Sequence, residues 1–215
     1  YVDTGPVQER VYAQHAGLGW IGKNTCLINP DAGSWVLLGV IVCSLPLEPD
    51  APALDQCGTC TLCLEACPTG AFVEPHVLDA RRCLSYLTIE YHGSIPTEHR
   101  ERIGNHLFGC DICQEVCPWN GAPTRTSDPS WSLREDLNLP SVIDLWRRSD
   151  AELADFIGRT PMTRAGVNGL RRNLAVALGN SGDPRALDAL REPGDETTSD
   201  PIVLEHVEWA RWKLD

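Results

Sequence analysis

Eight of the ten cysteines lie between residues 57 and 117, and their spacing is the strongest chemical signal in the sequence. The two runs are Cys57-x2-Cys60-x2-Cys63-x3-Cys67-Pro68 and Cys110-x2-Cys113-x3-Cys117-Pro118. Gaps of two or three residues let several thiolates converge on one metal cluster from a tight loop. Disulfide frameworks are typical of small secreted chains, so clustered cysteines in a chain of 215 residues indicate metal or cluster binding instead.

The first run matches the iron–sulfur motif of bacterial ferredoxins, in which three cysteines bind one 4Fe–4S cluster and the fourth binds a second cluster. The second run matches the last three cysteines of that motif, but Leu107 stands at its first position. Cys83, which lies between the runs, is the expected supplier of the missing ligand. The predicted ligands are Cys57, Cys60, Cys63 and Cys117 for cluster 1, and Cys67, Cys83, Cys110 and Cys113 for cluster 2.

Two cysteines, Cys26 and Cys43, are left over by this assignment and are expected to be small core residues. The alternative to clusters is structural zinc, whose sites usually keep paired C-x2-C knuckles at longer spacing and lack the Cys-Pro endings. Two adjacent clusters indicate a relay of single electrons to a second redox centre or an external acceptor.

Charge and hydropathy limit the classes of partner. The formal net charge of −12 excludes a generally basic nucleic-acid-binding protein, although not a local basic patch. Such a patch is predicted where four arginines occur without an acid, and the alternative is a solvated helix face. These candidate phosphate-binding residues are Arg159, Arg164, Arg171 and Arg172.

The longest apolar run, Trp35 to Val42, is too short to cross a bilayer, and no signal peptide is visible, so the sequence predicts a cytoplasmic protein without membrane attachment.

The chain divides by composition into three predicted domains, residues 1–55, 56–130 and 131–215. In the first, a short helix is predicted from Glu9 to His15, and Trp35 to Val42 is predicted to be a central strand because it is β-rich and apolar on both faces. In the second, helices are predicted from Leu78 to His92 and from Thr97 to Leu107.

The third domain is predicted to consist of short helices. Capping boxes begin at Ser141 and Ser149. Asp183-Pro184 and Asp200-Pro201 each supply an N-cap followed by proline at the first helical position. An apolar stripe at helical spacing is formed by Val167, Leu170, Leu174 and Leu178. The pattern favours a HEAT-like helical repeat, with an ordinary helical bundle as the alternative.

Several motifs, in order, resemble the epoxyqueuosine reductases. They are Val2-Asp3-Thr4-Gly5-Pro6-Val7, the stretch from Gly17 to Asn24, Gly33-Ser34-Trp35, the stretch from Arg82 to Glu90, and the stretch from Gly109 to Asn120. The resemblance covers the cysteine region and the segment before it. Because the first motif is already under way at Tyr1 and the chain has no initiator Met, we expect the chain to be incomplete at its N-terminus.

The resemblance implies a cobalamin-dependent iron–sulfur enzyme that reduces epoxyqueuosine to queuosine at the wobble position of the anticodon, the last step of queuosine synthesis on tRNA. The implied fold class is α+β. It joins the C-terminal part of a nitroreductase-like cobalamin domain, a two-cluster ferredoxin-like domain and a HEAT-like tail that helps to hold tRNA. The implied partners are tRNA carrying epoxyqueuosine and a low-potential electron donor of the flavodoxin or ferredoxin type, and the enzyme is expected to be a monomer.

The resemblance also assigns residues. Asp3 matches the proton donor of the family, although from the residues alone it could equally be an N-cap or turn residue. The resemblance implies cobalamin, bound base-off, near Asp3, Ser85, Cys110 and Asp111. Two other functions stay open: a non-catalytic ferredoxin-type electron-transfer module, and another corrinoid reductase of the reductive-dehalogenase type.

Overall fold

The computed structural model describes residues 5–121, 128–129, 132, 141–158, 160–191 and 199–215. Packing divides the chain into two compact units, which we describe separately. Unit 1 consists of Tyr1–Asp79 and Asp111–Ser127, and unit 2 of Ala80–Cys110 and Asp128–Asp215. This division differs from the three predicted domains because Ala80–Cys110, in the middle of the cysteine-rich region, packs with the C-terminal helices.

The described elements are short in the cysteine-rich region and longer towards the C-terminus. The helices are α1 (Glu9–His15), α2 (Leu62–Ala66), α3 (Leu84–Ile89), α4 (Thr97–Ile103), α5 (Ile112–Glu115), α6 (Val142–Trp146), α7 (Asp150–Ile157), α8 (Gly166–Asn180), α9 (Pro184–Arg191) and α10 (Pro201–Leu214). The strands are β1 (Trp20–Ile21), β2 (Leu27–Ile28), β3 (Phe72–Glu74) and β4 (Val77–Leu78). Single 3₁₀ turns lie at Ala80–Arg82, Pro118–Asn120 and Pro161–Arg164.

Unit 1 begins with the predicted helix α1, followed by a small hairpin. Strands β1 and β2 pair antiparallel, with Trp20 opposite Ile28. Gly19 permits this pairing, because a Cβ there would lie 2.2 Å from the carbonyl oxygen of Ile28. The hairpin buries the Trp20 and Ile28 side chains almost completely, so it fixes the indole of Trp20 inside the unit.

The strand predicted for Trp35 to Val42 is absent, and this prediction is wrong. Residues 35–42 have no regular secondary structure, and Ile41 and Val42 are 92% and 93% exposed. A strand needs a neighbour to pair its backbone groups, and within residues 5–121 none pairs with this segment.

The helix predicted from Leu78 to His92 is interrupted. Leu78 ends strand β4, a 3₁₀ turn follows, and Cys83 adopts an extended backbone (φ −72°, ψ 124°) before α3 begins. The helix predicted from Thr97 to Leu107 is present as α4 but ends at Gly104, whose φ of +59° is left-handed.

Helix α8 lies at the centre of unit 2. Its residues from Gly169 to Gly179 are buried all round, and α10 runs against it along most of its length. The predicted caps are confirmed: Ser141 Oγ accepts from the N–H of Asp144, and Ser149 forms a full capping box with Glu152. The predicted cap of α10 is also present, since Asp200 Oδ1 accepts from the N–H of Ile202 at 2.8 Å. The HEAT-like repeat stays a prediction.

None of the helices in the described ranges is long and apolar enough to span a bilayer.

Candidate metal centre

One pocket in unit 1 gathers all four cysteines predicted for cluster 1. Its lining includes Cys57, Cys60, Cys63 and Cys117, together with Lys23, Asn24, Ile28, Leu62, Pro118 and Trp119. Cys57 and Cys60 come from the loop before α2, Cys63 from the first turn of α2, and Cys117 from the second cysteine run. The structure therefore brings together residues that the sequence places up to 60 positions apart.

The loop that carries Cys57 and Cys60 is held by hydrogen bonds to its backbone. Asp55 Oδ1 accepts from the N–H of Cys57 at 2.7 Å, and the N–H of Cys60 donates to the carbonyl of Cys57 at 3.1 Å. Gly58 turns the chain with a left-handed φ of +53°. These contacts curl the loop before α2 begins at Leu62, and Cys57, Cys60 and the helical Cys63 line the same pocket.

The two Cys-Pro endings have the same local structure. Cys67 follows α2 with φ −65° and ψ 113°, and Cys117 lies two residues after the end of α5 with φ −73° and ψ 123°. Helices α2 and α5 pack against each other within unit 1. The sequence similarity between the runs is therefore matched by a repeated helix, extended cysteine and proline turn.

The second cysteine run is also tied to the segment around Gly33. Asn120 Oδ1 accepts from the N–H of Ser34 at 2.7 Å, while its Nδ2 donates to the carbonyl of Gln114 at 2.8 Å. Gly33 leaves room for this amide, because a Cβ there would lie 2.0 Å from Asn120 Oδ1. The amide thus joins a loop outside the cysteine region to helix α5.

Two side chains that the cysteine pattern does not reveal contact the cluster 1 loop. The indole Nε1–H of Trp20 donates to Cys57 Sγ at 3.4 Å. Lys23 Nζ donates to the carbonyls of Gly58 and Cys60 at 2.8 and 2.9 Å. Only the motif from Gly17 to Asn24 marked this stretch in the sequence, and it gave no indication of these contacts.

Two of the cluster 1 thiols, Cys63 and Cys117, have a pKa above that of free cysteine. The pKa of Cys63 is raised to about 11, first by burial and then by the neighbouring thiols of Cys113, Cys117 and Cys57. Burial also raises the pKa of Cys117. Buried thiolates so close together repel one another, and iron ions would compensate that charge, so the donor set fits an iron–sulfur cluster.

The thiols are also spaced more widely than a single ion requires. Among the described residues, no three His, Cys, Asp or Glu side chains are close enough to share one metal ion. In a 4Fe–4S cluster each thiolate binds a different iron, so the four sulfurs need not meet at one point.

The predicted ligands of cluster 2 are distributed between the units, with Cys67 and Cys113 in unit 1 and Cys83 and Cys110 in unit 2. Within unit 1, Cys67 Sγ accepts from the N–H of Ala71 at 3.3 Å. The ligand set of cluster 2 stays a prediction.

The two cysteines outside the cluster assignment differ from each other. Cys43 is exposed, as are the neighbouring Ile41 and Val42, so the expectation that it is a core residue is wrong. Cys26 is half-buried beside Cys113. A hydrogen bond between the two thiols lowers the pKa of Cys26 against the opposing effect of burial, whereas the same bond and burial both raise the pKa of Cys113.

The residues predicted to contact cobalamin have unequal positions. Asp3 lies outside the described residues. Ser85 on α3 and Cys110 are half-buried in unit 2, whereas Asp111 is the exposed residue before α5 in unit 1 and accepts a hydrogen bond from Gln114 Nε2 at 2.7 Å.

The predicted basic patch is wrong for two of its four arginines. Arg171 and Arg172 are 0% and 1% exposed, so neither can contact phosphate. Arg172 donates to the carbonyls of Leu87, Tyr91 and Gly93, all in unit 2.

Apart from Arg172, the arginines of that patch differ from one another in their surroundings. Arg171 donates to the carbonyls of Trp146 and Arg148 and pairs with Asp150 at 3.0 Å. Arg164 is 45% exposed and pairs with Glu90 at 2.5 Å, and Arg159 lies outside the described residues. Arg164 is thus the described member of the patch that reaches solvent.

Comparison with known proteins gives consistent matches. A protein-family model described as a 4Fe-4S double cluster binding domain matches residues 56–120. The epoxyqueuosine reductases of Xanthomonas campestris pv. campestris and Pseudomonas aeruginosa are 47% and 48% identical over 98% of this chain, which spans 59% and 58% of their lengths. That of Escherichia coli is 43% identical over 98% of this chain, which spans 55% of its length.

Comparison with solved structures also finds epoxyqueuosine reductases. A crystal structure of epoxyqueuosine reductase with a tRNA-Tyr epoxyqueuosine-modified stem loop superposes with a TM-score of 0.91 at 37% identity, over 100% of this chain and 56% of that one. The Bacillus subtilis enzyme gives a TM-score of 0.90 at 36% identity, over 98% of this chain and 56% of that one. In sequence and structure the chain therefore matches epoxyqueuosine reductases over nearly its whole length, and it spans just over half the length of these relatives.

Proposed function

We propose that this chain carries out the reduction of epoxyqueuosine to queuosine in tRNA. The observation that carries the proposal is the match over nearly the whole chain to epoxyqueuosine reductases, one of which was crystallised with an epoxyqueuosine-modified stem loop. The net reaction adds two electrons and two protons and releases the epoxide oxygen as water. A tRNA substrate would place this reaction in the cytoplasm.

The cysteines would hold the electron relay. We assign Cys57, Cys60, Cys63 and Cys117 to cluster 1, and Cys67, Cys83, Cys110 and Cys113 to cluster 2. The shared pocket of the first four thiols and the double-cluster match over residues 56–120 support this assignment. An external low-potential donor of the flavodoxin or ferredoxin type would supply electrons one at a time.

The proton chemistry is assigned to Asp3. Its carboxyl group would donate a proton to the departing oxygen, a general-acid step typically worth 10²–10⁴-fold in rate. The Bacillus subtilis relative is described as having a catalytic loop that carries an aspartate, which supports this role.

Cobalamin is the proposed second redox group, near Asp3, Ser85, Cys110 and Asp111. Asp111 is exposed and Ser85 is partly exposed, which supports contact with a cofactor, and Cys110 would lie near it as a ligand of cluster 2. When bound, cobalamin would supply the cobalt centre that reduces the substrate carbon.

The test is single-turnover conversion. The chain is reconstituted anaerobically with iron, sulfide and cobalamin, then mixed with an epoxyqueuosine-containing anticodon stem-loop RNA and a low-potential reductant. Nucleoside mass spectrometry should show queuosine, and Asp3→Asn should slow conversion by at least about 100-fold while the iron content is unchanged.

Failure of the fully loaded chain to convert the RNA would contradict the proposal. If that chain still passed electrons to a redox protein, the non-catalytic electron-transfer module would be favoured instead.

A further inference from the structure

The indole of Trp20 has one polar atom, and that atom faces a cluster 1 cysteine. Nε1–H donates to Cys57 Sγ at 3.4 Å, and the Trp20 side chain is 0% exposed. A buried N–H that lacks a partner costs about 1–3 kcal/mol, so the sulfur satisfies a real requirement of this side chain.

The position of the Trp20 ring is fixed from two sides. The β1–β2 hairpin pairs its backbone with Ile28, and its ring packs edge-on against Trp119, with centroids 4.8 Å apart and planes at 76°. Trp119 lies two residues after Cys117, so the same indole contacts the segments of the first and the last cluster 1 ligand.

A positive charge reaches the same loop from the same stretch of chain. Lys23 lies three residues after Trp20, and its ammonium group donates to the carbonyls of Gly58 and Cys60. Hydrogen bonds and charges around the ligating sulfurs are among the factors that set the potential of an iron–sulfur cluster.

We propose that Trp20 is a positioning residue that raises the reduction potential of cluster 1 through its hydrogen bond to Cys57. The inference rests on the proposed binding of cluster 1 by this pocket. One-electron reduction places more negative charge on the cluster and its ligating sulfurs, and the N–H dipole therefore stabilises the reduced form more than the oxidised form. The electron comes from the external low-potential donor, and the indole keeps its proton in both states.

The test is a redox titration of the reconstituted chain, followed by electron paramagnetic resonance. Trp20→Phe keeps an aromatic ring but removes the N–H. We expect it to shift the reduction equilibrium of one cluster about tenfold towards the oxidised form, which for a one-electron couple is about 59 mV lower. The matched control is Trp119→Phe, which removes an indole from the same pocket and leaves the bond between Trp20 and Cys57 in place. It should shift the equilibrium less than about threefold.

Equal shifts in the two variants, or no shift in Trp20→Phe, would overturn the inference while leaving the proposed function intact. Iron-free wild-type protein would overturn both. If Trp20→Phe does not assemble its clusters, Trp119→Phe protein grown on tryptophan labelled with ¹⁵N in the indole gives the answer. Its reduced cluster should show a ¹⁵N coupling in pulsed spectra, and the absence of any coupling would refute the hydrogen bond.

Discussion

The guanidinium group of Arg172 donates a hydrogen bond of 2.7 Å to the carbonyl oxygen of Leu87, 85 residues earlier in the chain. The same group also donates to the carbonyls of Tyr91 and Gly93. Burial lowers the pKa of Arg172 to about 10, which still leaves it charged at neutral pH. A single cation on α8 thus satisfies carbonyl groups in the last turn of α3 and in the segment that follows it, all within unit 2.

Arg172→Met should therefore destabilise unit 2. The variant leaves three carbonyl oxygens without their donor, at about 1–3 kcal/mol for each buried group, so we expect a loss of about 3 kcal/mol or more. Urea unfolding followed by circular dichroism measures this change. Arg164→Met, which removes a half-exposed arginine, is the control and should change stability by less than about 1 kcal/mol. Similar effects of the two changes would contradict the structural role of Arg172.

Iron content tests the assignment of the cysteines. The reconstituted wild-type chain should hold about eight iron atoms, and Cys117→Ser should hold about four, because it removes a ligand of cluster 1 alone. Cys43→Ser is the exposed control and should keep all the iron. Cys26→Ser is the more demanding control, since Cys26 lies beside Cys113, and loss of a cluster in that variant would show that the ligand sets are wrong.

Arg164 is the residue through which the remaining part of the basic patch can be tested. If it contacts phosphate, Arg164→Glu should weaken binding of the anticodon stem loop and reduce the salt dependence of log K by about one unit. Arg185→Glu makes the same charge change on α9 at an 80% exposed side chain, and it should have a smaller effect. Equal losses in both variants would mean that only net charge matters.

Because His206 is buried and neutral, we expect the protein to lose stability in mild acid. Its Nε2 accepts from the N–H of Ile95 at 3.1 Å, and its Nδ1 donates to the carbonyl of Ile202 at 2.6 Å, so the buried ring is neutral. The pKa of His206 is lowered to about 4, mainly by burial and also by the charges of Arg100 and Arg172, against the opposite effects of the Ile202 hydrogen bond and Glu205.

Because the folded pKa lies below the unfolded value of 6.5, this contribution is complete above about pH 6.5 and declines as the pH falls towards 4. Between pH 7.5 and pH 5 the free energy of unfolding should fall by about 2 kcal/mol. His206→Gln should show a flatter dependence, whereas His76→Gln, at a 40% exposed side chain, should keep the wild-type slope. A wild-type slope in His206→Gln would refute the assignment.

Local signals in the sequence predicted local structure well. The caps at Ser141, Ser149 and Asp200 involve contacts within three residues, and all three are present. The gathering of Cys117 with the first cysteine run was also predictable, because ferredoxin spacing encodes that long-range contact.

The predictions that were wrong concern residues whose burial depends on contacts with distant parts of the chain. The stripe through Leu170, Leu174 and Leu178 predicted one buried face of α8, but every residue from Gly169 to Gly179 is buried, including Arg171 and Arg172. Nothing near these arginines in sequence shows that carbonyl groups far along the chain are available to them. The bond from Trp20 to Cys57 is likewise invisible to a pattern, since it joins residues 37 positions apart.

The amide of Asn120 connects Gly33 and Ser34 to the carbonyl of Gln114 on the helix that follows Cys110. Position 33 is closed to any side chain, since even a methyl group would collide with that amide. The position of the second cysteine run therefore depends on a residue outside the run. A substitution at residue 33 that displaced Asn120 would weaken the attachment of α5 and so shift Cys113. The geometry of the metal centre thus depends on a glycine that contributes no atom to it.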